Sequence, residues 1–163
     1  MRCAERTVRR RREAPVSVRR GPFWDGVEGR APMPRAARTL GLEFLAADPE
    51  QGTIELAFTA TEDFTNPVGN VLGAFLSAML YDTVGPALLA TLGPEEFQST
   101  LELKVTFHHP TRPGRLTARG RVIRREGDLA FLEATLLDAQ DLTVATASAT
   151  ARVIALADAE GAV

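Results

Sequence analysis

Hydrophobic and polar positions change period twice along this chain. Around residue 56, Ile54, Leu56 and Phe58 alternate with Glu55, Ala57 and Thr59, the two-residue period of a half-buried strand. A second strand-like run, "TLGLEFLAAD", precedes it, and "DPEQG" between them carries hairpin turn residues. "TEDFTNPVGN" comes next as a loop, rich in Thr, Asn, Pro and Gly. From Gly73 to about Leu92 the residues are good helix formers and apolar nearly all round, with Gly93-Pro94 as the stop signal. The period of two then returns: Leu101, Leu103, Val105 and Phe107 alternate with Glu102, Lys104 and Thr106. "TRPG", "EGD" and "AQD" divide the remaining residues into three more strands.

The predicted order is therefore two strands, one long buried helix and four strands. Consecutive hairpins imply an antiparallel sheet, and a single apolar helix has to cover one of its faces. The expected fold is therefore α+β of the hotdog type, a curved antiparallel sheet of about six strands wrapped around one central helix. Such a sheet leaves long edges that need a partner, so joining of two sheets in a homodimer is expected, with a dimer of dimers as a further step. The helix, ~30 Å long for about 20 residues, has the length of a membrane span. Asn70, Ser77, Tyr81, Asp82, the Gly85-Pro86 pair and the lack of flanking basic anchors instead make it a core helix.

Charge divides the chain differently. Residues 1–38 hold 11 Arg against 4 acids, and residues 39–163 hold 7 Arg and 1 Lys against 17 acids. The first segment, with "RTVRRRRE" and four prolines between Pro15 and Pro34, reads as a largely flexible arm. The expected division is an arm over 1–38, a folded domain over 39–156 and a frayed tail over 157–163. The arm has no aromatic platform or motif for nucleic acid, and a solvated tail is its reading. The lone Cys3 cannot form an internal disulfide, and no Cys/His spacing suggests zinc, so a cytoplasmic protein without metal or cofactor is expected. His108 and His109 point to opposite sides of a strand and cannot converge on one site.

The run Asn66-x-x-Gly69-x-Val71-x-Gly73 and the acid-bearing helix after it resemble the PaaI-like acyl-CoA thioesterases of the hotdog superfamily. "TLELKVTFHHPTRPGRLTARGRVIRREGDLAFLEATLLD" and "TVATASATARV" resemble the second half of that family, and the likeness runs from about Phe23 to Ile154. It implies hydrolysis of an acyl-CoA or similar thioester to free acid and thiol. It also implies roles: Asn66 holding the reacting water or carboxylate, Gly73 donating its N–H to the thioester carbonyl, and Thr100 supplying a hydroxyl across a dimer interface. The family's acid falls on Tyr81, and Asp82 is one position later. Its His-Gly-Gly is here Leu72-Gly73-Ala74.

One helical step turns a side chain by about 100°. Pro86 cannot bond the carbonyl of Asp82, so a loosened helix is expected to let Asp82 reach the thioester as general base or nucleophile. Tyr81 becomes a hydrogen-bond donor or a packing residue beside the substrate. Arg112, Arg124 and Arg125, near turns, suit coenzyme A phosphates or a solvated rim. Loss of the usual acid leaves a second reading, a hotdog that binds acyl ligands without hydrolysing them.

Overall fold

The structure is a computed structural model, and residues 19–161 are described. Two short helices come first, α1 (Pro22–Val27) and α2 (Arg35–Thr39). The hairpin of β1 (Glu43–Asp48) and β2 (Thr53–Ala60) comes after them, then the central helix α3 (Gly73–Leu89), and then β3 (Glu96–Phe107), β4 (Gly114–Glu126), β5 (Leu129–Leu137) and β6 (Thr143–Ala155). All neighbouring strands are antiparallel, in the order β1-β2-β4-β5-β6-β3. The expected hotdog sheet is thus present, with α3 crossing from the β2 side to β3 at the far edge and packing on β4 and β5.

Local chemistry explains the hairpins. Asp48 Oδ1 accepts from the N–H groups of Glu50 and Gln51 at 3.0 and 3.1 Å, closing the first turn. Asp138 Oδ1 closes the β5–β6 turn in the same way, accepting from Gln140 and Leu142 at 2.9 Å each. The core lies between α3 and the sheet. Leu76, Met79, Leu80, Val84 and Leu88 of the helix are buried against Leu56, Phe58, Leu116, Leu132 and Leu136. No helix among the described residues is long and apolar enough to cross a membrane.

Three boundaries differ from the sequence reading. Residues 21–38 are not a flexible arm but part of the folded unit. Trp24 is 5% exposed, Ala37 and Leu40 are buried, and the Trp24 indole donates to Ala90 O at the end of α3 (3.3 Å). Burial of a large aromatic stabilises a segment that Arg and Pro content alone marked as solvated. The arginine run at residues 6–12 lies outside the described residues. At the other end, residues 156–161 form a 3₁₀ turn against β3 and β6 instead of a frayed tail. The helix also ends earlier than expected, at Leu89, where the Thr91 hydroxyl and N–H both bond to Leu88 O.

Candidate active site

Helix α3 has two working faces. Residues 76, 79, 80, 83, 84, 87 and 88 turn toward the sheet. Residues 81, 82, 85, 86 and 89, spaced to share a face, turn instead toward a cavity of about 430 Å³. Phe23 and Val27 of α1, Met33 and Leu42 of the leader, and Phe44 and Leu56 of the first hairpin line its other walls. Ring contacts lock that wall: Phe23 lies 5.0 Å from Trp24 and 6.1 Å from Phe44, edge to face.

Asp82 lies in this largely apolar cavity. Its Oδ2 is buried and finds no hydrogen-bond partner among the described residues. Burial pushes its carboxyl group up from the ordinary 3.8 to about 6. α3 runs unbroken through Pro86, which has no N–H to offer the Asp82 carbonyl. Asp82 therefore reaches the cavity from within a continuous helix.

A second polar group shares the cavity, and the sequence reading missed it. Gln98, 8% exposed on β3, accepts from the Thr100 hydroxyl through Oε1 at 3.1 Å. That bond orients its amide nitrogen toward α3, where a Cβ placed on Gly85 would lie only 2.8 Å from Nε2. Any residue larger than glycine at 85 would push the amide away. The available signal was three polar residues in a row, Gln98, Ser99 and Thr100, all buried at the start of a strand. Thr100 thus bonds to a residue that shares the cavity with Asp82, and Tyr81 lies at the same cavity, exposed.

The other expected site residues lie elsewhere. Asn66 closes the turn before α3, its Oδ1 accepting from the N–H groups of Val68 and Asn70 at 3.1 and 3.0 Å. Leu72 is the residue before the first helical turn and is exposed, and no side chain caps that end of α3. Gly73 lies under the Phe107 ring: a Cβ there would be 2.8 Å from Cζ. Nine residues separate Gly73 from Asp82, which is ~13.5 Å along the axis and about half a turn around it. The two cannot meet at one thioester within one protomer.

The three arginines also stand apart. Arg112 Nη1 donates to Val68 O at 2.8 Å, bracing the Asn66 turn. Arg124 pairs with Glu126, while Arg125 donates to Gly127 O at 3.0 Å and to Glu96 at 3.1 Å. Arg112 precedes β4 and Arg124 lies near its far end, with roughly 33 Å of strand between Gly114 and Arg124. The three therefore form two separate groups, each paired with groups of the chain itself. Of the two histidines, His108 shares a hydrogen bond with the Thr146 hydroxyl (2.9 Å) at an exposed position.

Residues 69–145 match the model of the thioesterase superfamily. A phenylacetic acid degradation-related protein from Ralstonia eutropha JMP134 is 38% identical, with a TM-score of 0.78 over 80% of this chain and 98% of that one. The chain belongs to the PaaI-like thioesterases of the hotdog superfamily. The Escherichia coli PaaI protein from the phenylacetic acid degradation operon is 18% identical, with a TM-score of 0.72 over 81% of this chain and 93% of that one. A thioesterase family protein from Silicibacter pomeroyi is 23% identical, with a TM-score of 0.72 over 82% and 98%. These two show the shared fold. No curated protein matches the chain. Tyr81 and the carboxylate next to it, Asp82, both line the cavity that α1 and the first hairpin close.

Proposed function

We propose that the chain hydrolyses an acyl-CoA or a similar acyl thioester to free acid and thiol, as a homodimer in a reducing cytoplasm, with coenzyme A present only as part of the substrate. The observation that carries this reading is the Asp82 carboxyl group. It is a buried acid without a partner on Oδ2, poised near neutral pH, at a cavity in a chain of the thioesterase superfamily. A structural acid would be paired; an acid held at the cost of its own solvation is what proton transfer needs.

In this reading ionised Asp82 takes a proton from a water whose oxygen bonds to the thioester carbonyl carbon. The carbonyl electron pair moves onto oxygen, where an N–H donor meets it; one such donor is typically worth ~3 kcal/mol. The Gln98 amide, which lines the same cavity as Asp82, is a candidate donor. Collapse of the tetrahedral intermediate breaks the C–S bond, and the proton on Asp82 passes to the departing thiolate. Gly73 takes part only from a second protomer, because half a helical turn separates it from its own Asp82. The homodimer is supported by β3, a strand of 12 residues that pairs with β6 alone and leaves its other edge open. Leu101 on that strand is half exposed.

A panel of acyl thioesters, followed with a free-thiol reagent, tests the proposal on the native protein, Asp82→Asn and Tyr81→Phe. Turnover well above background, lost in Asp82→Asn and kept in Tyr81→Phe, is expected. Binding of the panel without turnover would establish the non-hydrolytic alternative, and full activity in Asp82→Asn would transfer the base role elsewhere.

A further inference from the structure

We infer that the cavity between α1 and α3 is the acyl chamber, taking an uncharged acyl group of medium length or an aryl acyl group, and that the leader's α1 sets its size. The inference rests on the hydrolase reading for the placement of the thioester, but the chamber's own binding is measurable without turnover.

Polarity across the cavity sets the orientation. Asp82 and Gln98 lie on the wall formed by α3 and β3, whereas Phe23, Val27, Met33 and Phe44 form the opposite side. A thioester carbonyl placed at the polar wall sends its acyl tail toward the aromatic leader. The volume, about 430 Å³, lies in the lower part of the range of small-molecule pockets, ~300–1,000 Å³. A tail that is too long meets Phe23, whose ring packs edge to face against Trp24 and Phe44 at 5.0 and 6.1 Å. A charged tail would leave its charge unpaired among these side chains. The occupant is therefore an apolar acyl group, and each methylene it buries contributes about fourfold in affinity.

The leader also supplies a suitable test position. Gly26 of α1 lines the chamber, and a Cβ built on it meets nothing within 4 Å. Gly26→Leu should thus fill the chamber without straining the backbone, and it improves helix propensity in α1. Thioester hydrolysis is compared for butyryl, octanoyl, benzoyl and palmitoyl substrates in native protein, Gly26→Leu and Phe23→Ala. The expected result is a preference for octanoyl or benzoyl in native protein. Gly26→Leu should lower kcat/KM for these at least tenfold while changing butyryl less than threefold. Phe23→Ala should raise the palmitoyl-to-octanoyl ratio at least fivefold.

Separately, native protein and Gly26→Leu are titrated with 1-octanol, which is not hydrolysed, while the fluorescence of Trp24, the one tryptophan in the chain, is followed. Saturable change in native protein, weakened at least tenfold in Gly26→Leu, is expected. Equal loss on all four substrates in Gly26→Leu, or an identical octanol response in both proteins, overturns the chamber and leaves hydrolysis standing. A Gly26-dependent octanol response with no turnover of any thioester upholds the chamber and overturns the hydrolase reading.

Discussion

Replacing Asp82 by Asn should make the protein more stable and less active at once, and both effects stem from one buried oxygen. Burial raises the Asp82 carboxyl group from 3.8 to about 6. In the unfolded chain it ionises near its ordinary value, so between 3.8 and about 6 the native state binds the extra proton. Stability contributed at this site accordingly falls as pH rises through that window, is flat above it, and carries no penalty below 3.8. The full gap corresponds to about 3 kcal/mol at ~1.4 kcal/mol per pH unit. An Asn carboxamide escapes that cost but buries a polar group with incomplete bonding, for about 1 kcal/mol or more. The net gain for Asp82→Asn is about 1–2 kcal/mol at pH 8, or roughly 3–6 °C in Tm. It should shrink toward zero or reverse by pH 4.

Urea unfolding at a series of pH values, with thioester hydrolysis on the same samples, reads both effects. Native kcat/KM should rise about tenfold per pH unit up to about pH 6 and then level off, because the base must be ionised. Asp82→Asn should lose at least about 100-fold, the lower end for removal of a general base. A variant that is less stable than native protein at pH 8, by an amount independent of pH, would mean that Asp82 is a satisfied structural anion, and its role as the base would fall with that result.

Gly73→Ala forces only the exposed end of the Phe107 ring to move, so the stability loss by urea melts should stay below about 1 kcal/mol, while kcat falls if its N–H meets the thioester in the dimer. Trp24→Ala removes a buried indole and its bond to Ala90 O, and should cost about 3–5 kcal/mol by denaturant unfolding. A cost within about 1 kcal/mol would return the leader to the role of a loose arm. Leu101→Lys puts a charge on the open edge of β3 and should shift sedimentation from dimer toward monomer, with circular dichroism unchanged. Unaltered assembly would place the dimer contact elsewhere.

The alternation about Leu56, the apolar run from Gly73 and the turn residues at "DPEQG", "EGD" and "AQD" were sufficient for the element order and the hotdog sheet, because each is a local signal whose period matches the element it forms. Asp82 was also legible, as an acid out of place in an apolar helix. Its surroundings were not. Gln98 lines the same cavity from β3, Phe23 from α1 and Phe44 from β1, a juxtaposition of residues far apart in sequence that no local period encodes. Motif and charge point to Asn66 and Arg112 as site residues, while in the fold both hydrogen-bond within the turn before α3. A hydrogen-bonding side chain has the same sequence signature whether it faces a substrate or a backbone carbonyl. Sequence by itself determined the sheet, the helix and the presence of a misplaced acid, since these arise from nearest-neighbour chemistry. Tertiary structure alone decided which face of α3 the acid occupies, what stands opposite it and how far it lies from Gly73, because packing sets those distances.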